Sequence, residues 1–121
     1  MTAGDVVTGL VEVDLHGYRP STINETDLIA TLVREAWEMG KSELRLIHGH
    51  GLNRDNPRPF ANTNTGFLGL TVRGSLRNDR ALRQWIYAKL DVSDFGATTV
   101  RLKRNPSPIR SDFSDLPDSD F

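Results

Sequence analysis

The first regular pattern in the chain is the alternation of apolar and other residues over residues 10–15, LVEVDL. Val11, Val13 and Leu15 fall on one side of this alternation, and the pattern ends at Gly17. A period of two is typical of a strand with one buried face. We therefore predict a first strand that ends just before Gly17.

Helical spacing follows over residues 19–41. Thr22 and Glu25 have the spacing of a capping box, and Gly40 provides a stop signal. Apolar residues recur between these signals at intervals of three and four, which predicts one continuous helix. Its predicted buried face contains Leu28, Ile29, Leu32, Val33, Ala36 and Trp37.

A second strand is predicted from SELRLIHG, residues 42–49, which contains a short apolar run closed by Gly49. A strand, a helix and a strand in about 40 residues form a βαβ unit, whose strands are parallel. The carboxyl ends of parallel strands meet at one edge of a sheet, where ligands usually bind. We therefore expect His16, His48 and His50 to be neighbours there.

The remaining chain is less regular. Residues 52–64, LNRDNPRPFANTN, read as a long loop, and the spacing of Leu68, Val72 and Leu76 predicts a second helix. Residues 81–90 fit a helix or a strand equally well. A final strand is predicted from GATTVRLKR, in which one face contains Thr98, Val100 and Leu102.

Length and composition favour one globular domain that contains no cysteine in its 121 residues. No apolar run approaches the roughly 18 residues of a membrane span, and the N-terminus does not resemble a signal peptide, so we expect a cytoplasmic protein without membrane contact. We predict a flexible segment over residues 1–9, a domain over 10–104 and a disordered acidic tail over 105–121, where Pro, Ser and Asp dominate.

Charge is distributed unevenly along the chain. The net charge is −1, but residues 105–121 carry −3, which leaves the rest of the chain mildly basic at +2. Twelve of the fifteen basic residues are Arg, which suits bidentate contact with phosphate. Solvent-exposed Arg is the alternative interpretation for each of them taken singly.

Three motifs together resemble the Smr domain, the small MutS-related family. They are VDLHG at residues 13–17, IHGHG at 47–51 and GATTVRL at 96–102, with a helix opening with Thr65 and Gly66 before the last of them. The resemblance covers residues 10–104 in order. It implies an α/β two-layer sandwich with a four-stranded mixed sheet and two main helices, in the order β-α-β-α-β-β, and it assigns QWIYA to the third strand and KLDVSDF to a loop.

Two features depart from the family pattern. Residues 52–64 intervene where the family passes almost directly into its second helix, and His50 occupies a position that is often basic in the family. The insertion lies beside the expected site, so it is a candidate for setting substrate preference.

The resemblance implies phosphodiester hydrolysis, by DNA nicking or RNA cleavage. Asp14 and His16 are two residues apart on a strand and therefore face the same side, where they can act on one phosphate or bind Mg²⁺ or Mn²⁺ through Asp14. We predict Asp14, His16 and His50 as catalytic residues. The predicted phosphate or nucleic-acid contacts are Gly17, His48, Gly49, Gly51, Arg54, Arg58, Arg73 and Arg77, with Phe60 as a base-stacking residue.

Structural interpretations stand beside these roles. Asp14 and His16 can instead order the turn after the first strand, and we favour for His48 a structural role in which its ring bonds across to that turn. Phe67 and Trp85 are assigned to the core. The alternatives to an endonuclease are a nucleic-acid-binding module without catalysis and a domain that binds a phosphorylated ligand or a protein partner; a monomer is the default.

Overall fold

The structure, a computed structural model, describes residues 9–49 and 66–120. Within these ranges it contains four strands, three α-helices and one 3₁₀ helix. None of these helices is long and apolar enough to cross a membrane. The elements are β1 (Leu10–Asp14), α1 (Pro20–Glu25), α2 (Leu28–Glu38), β2 (Glu43–Ile47), α3 (Phe67–Asn78), the 3₁₀ helix (Arg80–Gln84), β3 (Ile86–Asp91) and β4 (Ala97–Leu102).

The four strands form one mixed sheet in the order β1-β2-β4-β3. Strands β1 and β2 are parallel, as the βαβ pattern predicts, whereas β4 is antiparallel to both of its neighbours. The helices cover one face of the sheet and share a single apolar core with it. The predicted α/β sandwich with a four-stranded mixed sheet is confirmed.

The alternation in the sequence decides which strand positions enter the core. In β1, Val13 is 7% exposed and Leu15 is fully buried, whereas Leu10 on the opposite side is 42% exposed. In β4 the face predicted from Thr98, Val100 and Leu102 is buried. The opposite face of the sheet is open, since no helix among the described residues covers it.

The predicted first helix is interrupted, so the prediction of one continuous helix was wrong. Asp27 adopts left-handed angles, with φ of 53° and ψ of 41°, between α1 and α2. Ile23 and Leu28 are both buried, but in one continuous helix they would point about 140° apart, because each residue turns the helix by about 100°. The break at Asp27 lets both side chains reach the same core. Because α1 begins at Pro20, Thr22 lies inside the helix and is not its N-cap.

Residues 80–91 contain both a helix and a strand, the two alternatives that the sequence left open. A 3₁₀ helix, in which Leu82 is buried, turns at Trp85 into β3, whose first residue Ile86 is also buried. β3 continues to Asp91, so part of the predicted loop is strand. Trp85 packs partly buried against the core, but Phe67 is 64% exposed and its assignment to the core was wrong. The first residue of α3 faces away from the helix side that carries Val72.

Residues 105–120 differ from the disordered tail that their composition predicts. They have no regular secondary structure, but they lie along α2, and Phe113 and Leu116 pack against the core. The buried carboxylate of Glu35, 2% exposed, accepts hydrogen bonds from the backbone N–H and the hydroxyl of Ser114 at 2.8 and 2.9 Å. Arg110 donates to Glu38 at 3.1 Å. The tail contains few apolar residues that could be buried, so these hydrogen bonds with α2 hold it in place instead.

Candidate active site at the edge of the sheet

The carboxyl ends of β1 and β2 lie side by side, as the sequence predicts. The backbone N–H of Leu15 donates to the carbonyl of Ile47 at 2.7 Å. Beyond β2, the N–H groups of His48 and Gly49 both donate to the carbonyl of Gly96, at 3.0 and 2.9 Å. The segments DLHG and IHG therefore meet at one edge, together with the start of β4.

Asp14 and His16 form a direct pair at this edge. Asp14 Oδ1 lies 2.5 Å from His16 Nδ1 and also accepts a hydrogen bond from the His16 backbone N–H at 3.0 Å. Partial burial raises the pKa of Asp14, but the hydrogen bonds and the charge of His16 outweigh it, so this pKa lies below its ordinary value of 3.8. The carboxylate is therefore ionised at neutral pH and holds the imidazole ring through Nδ1.

Both members of the pair are accessible from solvent. The side chain of His16 is 71% exposed and that of Asp14 is 53% exposed. When Nδ1 carries the proton that is shared with Asp14, the lone pair of the other ring nitrogen, Nε2, is left to exchange protons with a ligand. An aspartate that orients a histidine in this way is a common arrangement in acid–base catalysis.

His48 occupies a very different environment, because it is only 3% exposed. Its Nε2 lies 3.0 Å from the hydroxyl of Thr98, and its Nδ1 lies 2.9 Å from the carbonyl of Gly49. The Nε of Arg73, which can only donate, bonds to the same hydroxyl at 2.8 Å. Because the carbonyl of Gly49 can only accept, Nδ1 of His48 carries a proton, and the Thr98 hydroxyl joins Nε2 to the guanidinium of Arg73.

This geometry differs from the predicted contact between His48 and nucleic acid. It corresponds to the structural interpretation of the ring, with one correction. The ring contacts Thr98 in β4 and the carbonyl of Gly49, whereas a contact with the turn after β1 was predicted. The alternation of β2 explains the burial, since His48 continues the inward-facing series of Leu44 and Leu46.

The two predicted arginines of α3 have different surroundings. Arg73 donates to Thr98 and, through its terminal nitrogen, to the carbonyls of Asp94 and Ala97 at 3.1 and 3.3 Å. Burial and the nearby charge of Arg77 lower the pKa of Arg73. Arg73 thus connects α3 to β4, whereas Arg77 is exposed, and the predicted phosphate contacts of both stay predictions.

The glycines of the site serve different purposes. Gly49 has a φ of +76°, and an added Cβ would have open space around it, so its conformation and not crowding favours glycine. Its N–H already donates to the carbonyl of Gly96, and its predicted contact with phosphate stays a prediction. A Cβ on Gly17, by contrast, would lie 2.8 Å from the hydroxyl oxygen of Ser119.

Several predicted site residues lie outside the residues that the structure describes. They belong to the second half of IHGHG and to the inserted loop over residues 52–64, and their roles stay predictions. These residues are His50, Gly51, Arg54, Arg58 and Phe60.

The described residues do not form a metal site by themselves. In residues 9–49 and 66–120, no three His, Asp or Glu side chains are grouped so that they could hold a metal ion. Asp14 offers a single carboxylate, one oxygen of which already interacts with His16. Because this donor set does not fit a protein-built Mg²⁺ or Mn²⁺ site, we derive no step through a metal, and the metal requirement stays a prediction.

Two features of this edge have no role predicted from the sequence. Thr98 is a polar residue on an otherwise apolar strand face, and that mismatch is the local signal that could have identified it. Ser119 and Asp120 reach the turn after His16 across about 100 positions of sequence. No local pattern indicates such a contact.

Comparison with known proteins gives one clear result. A model of the Smr domain family matches residues 13–103, which include the end of β1, the strands β2, β3 and β4, and both Asp14 and His16. No curated protein and no solved structure matches the chain. Because the family match covers most of the 121 residues and contains both strand-end motifs, this chain belongs to the Smr domain family.

Proposed function

We propose that this protein binds nucleic acid at the edge where β1 and β2 end and cleaves phosphodiester bonds there. The observation that carries the proposal is the exposed pair of Asp14 and His16, whose side chains are 2.5 Å apart. Membership of the Smr domain family supports nucleic acid as the ligand.

In this proposal His16 moves the proton. With RNA, Nε2 takes the proton of the 2′-hydroxyl as its oxygen attacks phosphorus, and the bond from phosphorus to the 5′-oxygen breaks. The departing 5′-oxygen takes up a proton from solvent, and the products are a 2′,3′-cyclic phosphate and a 5′-hydroxyl. With DNA, which lacks the 2′-hydroxyl, the same Nε2 takes a proton from a water molecule whose oxygen attacks phosphorus. The bond from phosphorus to one ester oxygen breaks, and the departing oxygen takes up a proton from solvent. In both reactions Asp14 stabilises the imidazolium that forms.

The test is a cleavage assay on RNA and DNA of one sequence, with Mg²⁺, with Mn²⁺ and with EDTA. We expect His16→Ala to lower the rate by at least about 100-fold, the usual contribution of a general acid–base group. Asp14→Asn should lower it less, because an amide oxygen still accepts from Nδ1.

Glu12→Gln is the matched control, because it makes the same carboxylate-to-amide change on the same exposed face of β1. Glu12 pairs with Arg45 at 3.2 Å and not with a histidine. The control should keep the wild-type rate. Absence of cleavage by the wild-type protein under all three conditions would contradict the proposed activity.

A second candidate function is nucleic-acid binding without cleavage. The observation that favours it is the burial of His48, which leaves His16 as the only exposed histidine among the described residues. Affinity that falls steeply with salt, without any product, would select this function, because phosphate contacts release bound counterions.

A further inference from the structure

The end of the acidic tail covers the turn that follows His16. The backbone N–H of Asp120 and the hydroxyl of Ser119 both donate to the carbonyl of Gly17, each at 2.9 Å. The hydroxyl of Tyr18 donates to the carbonyl of Pro117 at 2.6 Å. The turn is therefore in direct contact with residues 117–120.

The side chain of Asp120 adds a charged contact. One carboxylate oxygen accepts from the backbone N–H of Arg19 at 2.7 Å, and the other accepts from the hydroxyl of Thr22 at 3.0 Å. These hydrogen bonds lower the pKa of Asp120, so the group is ionised at neutral pH. Burial raises the pKa of Tyr18, and the charges of Asp118 and Asp120 raise it further.

A separate set of contacts anchors the middle of the tail. Ser114 bonds to the buried Glu35, and Arg110 bonds to Glu38, both of which belong to α2. Because this anchor lies several residues before the tip, residues 117–120 can leave the turn while the rest of the tail stays in place. The tip thus remains at high effective concentration near the site.

We propose that residues 117–120 compete with a nucleic-acid strand for the turn after His16, so that the acidic tip inhibits binding until it is displaced. This inference rests on the proposed function. A strand that reaches His16 must pass Gly17, whose surface Ser119 occupies, and its phosphates must approach Asp118 and Asp120. The negative charges of these carboxylates and of the phosphates repel each other. In addition, residues 117–120 and the strand cannot occupy the same space.

The size of the effect on the apparent Kd depends on how often the tip, residues 117–120, is bound to the turn, which we call its closed state. If the tip is closed about 90% of the time, the apparent Kd is about tenfold weaker than that of the open protein. The tip variant Asp118→Asn/Asp120→Asn removes two charges and weakens the contacts with Arg19 and Thr22. We therefore expect it to bind about tenfold more tightly than the wild type.

The experiment measures the affinity of the full chain for fluorescently labelled 12-nucleotide RNA and DNA single strands by anisotropy. The matched control is Asp112→Asn/Asp115→Asn, which changes the net charge equally. Within the described part of the chain, neither of these two carboxylates bonds to a residue outside the tail. The control should bind within about threefold of the wild type, because distant charges are screened by salt.

Amide hydrogen exchange provides a readout that does not depend on affinity. In the wild type, saturating oligonucleotide should accelerate exchange at Asp120, whose N–H loses its bond to Gly17 when the tip leaves. The tip variant should show faster exchange at Arg19 without any ligand. Circular dichroism checks that both double variants are folded.

The outcomes separate the two proposals. Equal affinity of the tip variant and the control, or unchanged exchange at Asp120 in the bound protein, would overturn the competition and leave the proposed function intact. Binding by the tip variant where the wild type shows none would support the competition in its strongest form. Absence of binding by every variant would contradict the proposed function itself, and the competition with it.

Discussion

The buried hydroxyl of Thr98 holds two side chains of the site in place. It is fully buried, and it lies between the ring of His48 and the guanidinium of Arg73. Thr98→Val keeps the shape of the side chain but leaves both of these groups without their shared partner. We expect a loss of about 1–2 kcal/mol in the free energy of unfolding, measured by urea denaturation.

Thr99→Val is the control for this change. Thr99 is the next residue of β4, on the open face of the sheet, and its hydroxyl makes no hydrogen bond within the described residues. The control should alter the free energy of unfolding by less than about 0.5 kcal/mol. Equal losses for the two variants would show that the Thr98 hydroxyl contributes nothing specific.

Glu35 predicts a pH dependence of stability. Burial raises the pKa of this carboxyl, but the hydrogen bonds from Ser114 and the charges of Arg110 and Arg34 outweigh it, so its pKa in the folded protein lies below 4.5. A depressed pKa contributes stability that is fully present above the unfolded value and is lost as pH falls through the folded value. The free energy of unfolding should therefore decrease below about pH 4.5.

Glu35→Gln tests this expectation. The variant should be about 1–2 kcal/mol less stable than the wild type at pH 7, and this difference should shrink as pH falls below 4.5. Glu25→Gln, at an exposed position of α1, should follow the wild-type curve. A difference between Glu35→Gln and wild type that does not change with pH would contradict the role assigned to the Glu35 charge.

At the scale of elements, the break between α1 and α2 depends on Asp27. Left-handed angles cost a residue with a Cβ about 1–2 kcal/mol, and aspartate tolerates them better than most residues do. Asp27→Ala should therefore lower the free energy of unfolding by about 1 kcal/mol, whereas Asp27→Gly should not lower it, because glycine adopts these angles freely. Thermal unfolding of the two variants tests the prediction, and equal destabilisation of both would contradict it.

The elements show what kind of information a local pattern carries. The alternation of β1 and β4 correctly predicts which side of each strand is buried, because the period of two follows directly from backbone geometry. The break in the first helix is absent from the pattern, since NETD contains neither Gly nor Pro. It arises from the need to bring Ile23 and Leu28 into one core.

At the scale of the whole molecule, the tail is ordered along α2 although its composition is typical of disordered segments. The N–H groups of Ile109, Ser114 and Asp120 donate to Glu38, Glu35 and Gly17, respectively. We expect slow amide exchange at Ile109 and Ser114, measured by NMR, whereas Asp120 should exchange at an intermediate rate because the tip leaves the turn part of the time. Ser111 and Asp115, whose N–H groups make no hydrogen bond in the described residues, are internal references that should exchange fast. Uniformly fast exchange from residue 105 onward would support the disorder that composition predicts.

The sequence by itself determined the α/β class, the parallel pairing of β1 with β2 and the meeting of DLHG with IHG at one edge. These features follow from periodicity and from the handedness of a βαβ unit, which are local properties of the chain. Only the tertiary structure decided that His48 bonds to Thr98, 50 positions away, and that Asp120 reaches Arg19 across 101 positions. Such contacts depend on which surfaces the packed core brings together. The alternation in β1 and β2 already puts the histidines of DLHG and IHG on opposite sides of the sheet, and the tertiary structure supplies their partners: His16 is exposed beside Asp14, and His48 is buried beside Thr98.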